Sequence, residues 1–100
     1  MTVEILGIVF GAGLFAVGLI GALIRRNAIV ILMSIELILN GANLTFVTLG
    51  RIHGQLSGEL MALFVITVAA AEAAVGLAII IAIFRRHPSV NVDEFHLLKW

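Results

Sequence analysis

The chain has 100 residues, of which 62% are apolar and 12% charged, with six basic side chains balancing six acidic ones. That balance leaves too little polar surface to coat a soluble globule of this size and assigns the chain to a bilayer. The lack of cysteine excludes disulfides, thiolate metal sites and iron–sulfur ligation here, and with net charge at zero the informative quantity is how the charges divide between two membrane faces.

A hydrocarbon core about 30 Å thick requires roughly 20 apolar residues of helix. Three runs between charges meet that length: Ile5 to Ile24 with no charge, Ala28 to Gly50 with Glu36 alone, and Leu60 to Phe84 with Glu72 alone. They predict an all-α integral membrane fold of three transmembrane helices, over 5–24, 28–50 and 60–84, with a polar tail over 85–100 and no room for a second domain. The start, "MTVE", lacks the basic residues of a signal peptide and its apolar run is full length, so the first span is expected to stay in the mature protein.

In the first helix Gly7, Gly11, Gly18 and Gly21 fall within about 80° of arc at roughly 100° per residue. They form a groove, and "GIVFG" is a pair of small residues one turn apart that lets another backbone come close. The connector "RRN" at 25–27 is short enough to make the first two helices antiparallel neighbours, and Asn27 is placed to cap the second.

The second helix carries Glu36, Asn40 and Asn43 at spacings of four and three, one narrow stripe, while Ser34 and Thr45 point the other way. After the connector "RIHGQLSGE", Ser57 is expected to cap the third helix, with Glu59 at the favourable end of its dipole. The segment "AAAEAAVGL" surrounds Glu72 with small side chains, and Ala69 and Gly76 share its face, which predicts close packing or entry of water. Pro88 in "RRHPS" ends that helix. The tail from Ser89 to Trp100 fits either a short surface helix or disorder.

Three spans put Arg25, Arg26, Arg85, Arg86 and Lys99 on one side of the membrane and Arg51 alone on the other. The excess of basic residues marks the first side as cytoplasmic, so the N-terminus is expected outside and the C-terminus inside.

A charged side chain at the bilayer centre costs roughly 2.5–3.5 kcal/mol on insertion scales, and this chain carries two, so a function is expected of them. Desolvation biases a carboxyl toward holding its proton, and one that releases it to water or a cation has the property of a proton relay. The structural alternative is a hydrogen bond in which the asparagine amides hold Glu36 and glue helices together. Counted from the basic ends of their helices, Glu36 lies about 12 Å and Glu72 about 18 Å into the membrane at 1.5 Å per residue, straddling the midplane. Side chains leaning toward their own N-termini widen the gap to about 10 Å or more, so waters or another subunit's polar residue must bridge it. A metal site is disfavoured by that separation, and haem ligation by the placement of His53, His87 and His96 in connectors or the tail. No polar file runs from face to face on three helices, so partner subunits are implied.

The run "IRRNAIVILMSIELILNGANLTFV" at 24–47, with "VAAAEAAVGLAIIIAIFRR" at 68–86, resembles the subunit K family of the proton-pumping NADH–quinone oxidoreductase, respiratory complex I. The resemblance covers all three spans and the first connector. It implies a membrane-arm subunit lying beside the antiporter-like subunits, with Glu36 and Glu72 in a hydrophilic axis for proton translocation; Asn40 and Asn43 are expected to support them from the stripe they share with Glu36. Arg25 and Arg26 map onto the family's basic connector, serving charge coupling or topology. NADH, flavin, iron–sulfur clusters and quinone would sit on other subunits, with no cofactor and no metal on this chain, in a bacterial cytoplasmic membrane rather than a mitochondrial one. Two other functions stay open on the sequence: the small subunit of a multi-subunit cation/proton antiporter, and a passive assembly subunit. A small drug/proton exporter would need four spans and a carboxylate in the first.

Overall fold

The protein is described by a computed structural model over residues 2–94. Its described residues form three long helices, α1 (Thr2–Ile24), α2 (Ala28–Ile52) and α3 (Ser57–Arg86), followed by a 3-10 turn at Val92–Glu94. All three are long and apolar enough to cross a membrane. α1 and α3 both pack on α2, which holds the middle of the fold.

The glycine groove of α1 seats α2. A β-carbon on Gly18 would come within 2.5 Å of the Ser34 carbonyl oxygen, and one on Gly41 within 2.6 Å of that of Gly11, so the two backbones touch where no side chain intervenes. Gly7 abuts Thr48, and Gly21 abuts the Ser34 hydroxyl. Ser34, Thr45 and Thr48 are thus the α1-facing edge of α2, and each hydroxyl donates to the carbonyl four residues back: Val30 at 2.8 Å, Gly41 at 2.9 Å and Leu44 at 2.7 Å. Satisfied in this way, they expose no unmet donor to the glycines. The expected opposition of Ser34 and Thr45 to the carboxylate stripe follows from this contact.

Asn27 caps α2 as expected: its Oδ1 accepts from Ile29 N at 2.9 Å and Val30 N at 3.3 Å. The preceding orphan donor, Ala28 N, finds the Val90 carbonyl at 2.6 Å, and Val92 N donates to the Arg26 carbonyl at 2.8 Å. The tail therefore doubles back after α3 and pairs with the first connector through an antiparallel bridge between Asn27 and Asn91. This resolves the tail up to Glu94 as an extended strap ending in one 3-10 turn; residues 95–100, with His96 and Lys99, lie outside the described residues.

Ser57 does not cap α3. Leu56 occupies that position with near-helical backbone angles and no side-chain bond, because the Gly54 turn (φ 62°) and the Gln55 N to Gly50 O bond (2.8 Å) bring the chain into helix early. Ser57 is already inside the helix, and its hydroxyl donates to Gln55 Oε1 at 3.4 Å.

Candidate functional site

The site is built where α2 and α3 meet. Leu32 packs on Gly76, with 3.6 Å from its Cδ1 to a β-carbon placed there, and Gly50 packs on Gly58. The spacing of eighteen from Leu32 to Gly50 is thus matched by the spacing of eighteen from Gly76 back to Gly58, which fixes an antiparallel register without slippage. Glu36 lies one turn past Leu32 and Glu72 one turn before Gly76, so the two carboxylates stand at the same height.

This differs from the offset of about 6 Å expected from counting residues. Such an offset requires α2 and α3 to share a basal plane. In the structure Ala28, where α2 starts, is level with Ile80, so α3 overshoots that start by six residues, about 9 Å. The overhang is what lets the strap return to the connector.

Height is shared but direction is not. On α2 the residues against α3 are Leu32, Leu39, Phe46 and Gly50. One flank of the α2–α3 seam is a furrow lined at one end by Leu49 and His53 of α2 with Ser57 and Met61 of α3, and further along by Leu39 with Phe64, Val68 and Glu72. At roughly 100° of turn per residue from that line of contact, Leu49 and His53 turn toward the furrow, while Glu36 and Asn40 lie about 55° and 95° to the other side. Glu72 opens into a furrow segment of about 250 Å³, and by helix geometry Glu36 falls on the opposite flank.

Within the chain Glu36 is half-buried and Glu72 exposed, and among the described residues neither carboxylate has a hydrogen-bond or ion-pair partner. Glu36 is not held by Asn40 or Asn43, so the structural glue has no bond to act through. Asn40 is exposed beside it, whereas Asn43, two turns along, is buried with its Oδ1 unpartnered. Ala69 is buried and Gly76 receives Leu32, which accounts for the two small residues that share the face of Glu72: α2 needs the room.

Arg26 pairs with Asp93 of the strap, Nη1 to Oδ2 at 3.0 Å, both side chains largely exposed. Arg25, Arg85 and Arg86 are exposed at the same end. These basic residues sit more than a helical turn from either carboxylate and do not join the site.

Residues 6–100 match the family described as NADH-ubiquinone/plastoquinone oxidoreductase chain 4L. The chain belongs to that family. Among its relatives is the protein named NADH-quinone oxidoreductase subunit K in Leptospira biflexa serovar Patoc, 55% identical over 87 residues, which cover 87% of this chain and 82% of the relative. The protein of the same name in Anaeromyxobacter sp. (strain K) is 56% identical over 86 residues, 86% of this chain and 87% of the relative. The subunit K resemblance carried by the double-arginine connector and the two glutamate segments is thereby borne out.

One contact in this family member escapes a search for intramembrane charge. Glu4, in the first turn of α1, meets Arg51 at the far end of α2, Oε1 to Nε at 3.4 Å. The signal was available: once the short connector makes α1 and α2 antiparallel, the register that sets Gly21 on Ser34 and Gly7 on Thr48 also sets Glu4 on Arg51. Glu4 is mostly covered and Arg51 mostly exposed, so the pair ties the helix ends at the water boundary.

Proposed function

We propose that the chain is a membrane-arm subunit of a proton-translocating NADH–quinone oxidoreductase and that Glu36 and Glu72 carry protons through it. The observation that supports this most is the pair itself: two unpartnered carboxylates at one height in adjacent apolar helices, facing opposite flanks of a single seam. An unpaired intramembrane carboxyl costs several kcal/mol and has no structural return when it bonds to nothing in its own chain.

Each carboxyl acts by one reversible step. Protonated, it donates its hydrogen to a water or a neighbouring subunit's base and becomes a carboxylate; a donor on the other side restores it. Because the two face opposite flanks across helices roughly 8–10 Å apart, the proton does not pass in one hop. Polar groups of adjoining subunits, the antiporter-like ones among them, complete the path, and Asn40 beside Glu36 orients the water that approaches it. NADH, flavin, iron–sulfur clusters and quinone belong to other subunits. The basic end, with Arg25, Arg26, Arg85 and Arg86, lies in the cytoplasm of a bacterial cell, and the membrane is its cytoplasmic membrane.

The test is charge removal with shape retained. Glu36→Gln and Glu72→Gln are expected to leave the complex assembled and to impair proton pumping in sealed vesicles supplied with NADH and quinone. Normal pumping in both variants would reduce the chain to an assembly subunit.

A further inference from the structure

We propose that Asn43 holds a water molecule between α2 and α3, a hydration site that extends the route from Glu36 toward the Arg51 end of α2. Its place on the route rests on the relay reading of Glu36 given above; the water itself rests on the amide. Asn43 is 8% exposed, and its Oδ1 is buried with no hydrogen-bond partner among the described residues. A buried amide acceptor left unmet costs about 1–3 kcal/mol, so a donor is required.

Among the described residues no facing side chain supplies one, and the Asn40 amide, one turn back on α2, is exposed and does not bond it. Asn43 lies eleven residues past Leu32, level with Val65, and from Leu60 to Ala71 the only polar side chain on α3 is Thr67, which is exposed and donates to the Leu63 carbonyl at 2.9 Å. α1 packs on the other face of α2, through Ser34, Gly41, Thr45 and Thr48. A long side chain from a neighbouring subunit is a poor candidate, because the oxygen is shut off within the chain. A water is small enough to reach an acceptor buried within the chain, at a height where α3 presents only apolar side chains, between the buried Ala62 and Ala69.

Asn43 stands two turns from Glu36 on the same stripe, about 10 Å along the axis, too far for a direct bond and within reach of a file of about three waters. The exposed Asn40 amide lies between them. A water on Asn43 Oδ1 therefore has a function: it is the inner anchor of a wetted branch leaving Glu36 on its own flank. Asn43 acts as a positioning residue, holding the water that moves the proton.

The experiment uses the intact oxidoreductase. A density map of the assembled complex that resolves waters is expected to show one within hydrogen-bond distance of Asn43 Oδ1; a neighbouring subunit's side chain there, or no density, overturns the proposal. Asn43→Leu, similar in size and without an acceptor, is expected to assemble and oxidise NADH while pumping several-fold more slowly, with Asn43→Ser restoring the rate. Parent-like pumping in Asn43→Leu overturns the route. If leucine disturbs assembly, Asn43→Ser and Asn43→Ala decide: faster pumping in serine supports the site, and equal rates overturn it. Glu36→Gln separates the two readings, since normal pumping there removes the relay, whereas impaired pumping there with normal Asn43→Leu removes only the place of Asn43 on the route.

Discussion

Glu36 of α2 and Glu72 of α3 stand level with one another, one turn from the Leu32–Gly76 contact, yet they face opposite flanks of the seam between their helices. Antiparallel packing gives the shared height. The turn of each helix away from the contact line gives the opposed directions.

That relationship is open to cross-linking, which a chain without cysteine allows cleanly. A short bifunctional thiol reagent is expected to join Leu39→Cys to Val68→Cys, which share the furrow beside Glu72, and to join Glu36→Cys to Val68→Cys poorly, although position 36 lies within about a turn of the same height. Equal yields in native membranes would mean that both carboxylates look into one groove.

The α1–α2 contact is expected to tolerate no added volume at its centre. In Gly18→Ala the new methyl would lie 2.5 Å from the Ser34 carbonyl oxygen and 2.8 Å from Ile38 N, both backbone atoms that cannot step aside. Forced separation costs about 1–3 kcal/mol and should lower the thermal stability of the assembled complex. Gly13→Ala, with nothing within 4 Å of the added carbon, should leave it unchanged.

At the basic end, Asn27→Ala is expected to weaken α2 by about 1 kcal/mol through loss of two capping bonds, seen as faster hydrogen exchange at Ile29 and Val30. Asp93→Asn removes only an ion pair whose side chains are 69% and 48% exposed, a contribution of about 0–1 kcal/mol, and should leave exchange at those amides nearly as it was. A larger effect from Asp93 would mean that the charge rather than the backbone bridge holds the strap.

Ser57→Ala should fall within about 0.5 kcal/mol of the parent, as for a surface position without a cap bond. A loss near that of Asn27→Ala would restore serine as the capping residue of α3.

The three helices were legible because each depends on the length of an apolar run between charges, a property of the chain alone. The α1–α2 seam was legible for a related reason: a three-residue connector leaves the helices no choice of neighbour, and the glycines of α1 mark the face. The α2–α3 register was not. Its connector spans 53–56 and contains Gly54, so the helices are free to slide, and the register is set by Gly58 nesting on Phe46 and Leu32 filling the space at Gly76. The strap from Ser89 was hidden as well, since its bonds run from backbone to backbone and leave little trace in side-chain pattern.

By itself the sequence determined that this protein lies in a membrane, that it crosses three times, and that two acids lie where acids are costly. Hydrophobic length and charge count are enough for that, because the bilayer selects on them one segment at a time. Which way those acids face, and that they share a height, only the tertiary structure decided: both depend on where one helix stops sliding against another, and that is fixed by steric fit between residues far apart in the chain.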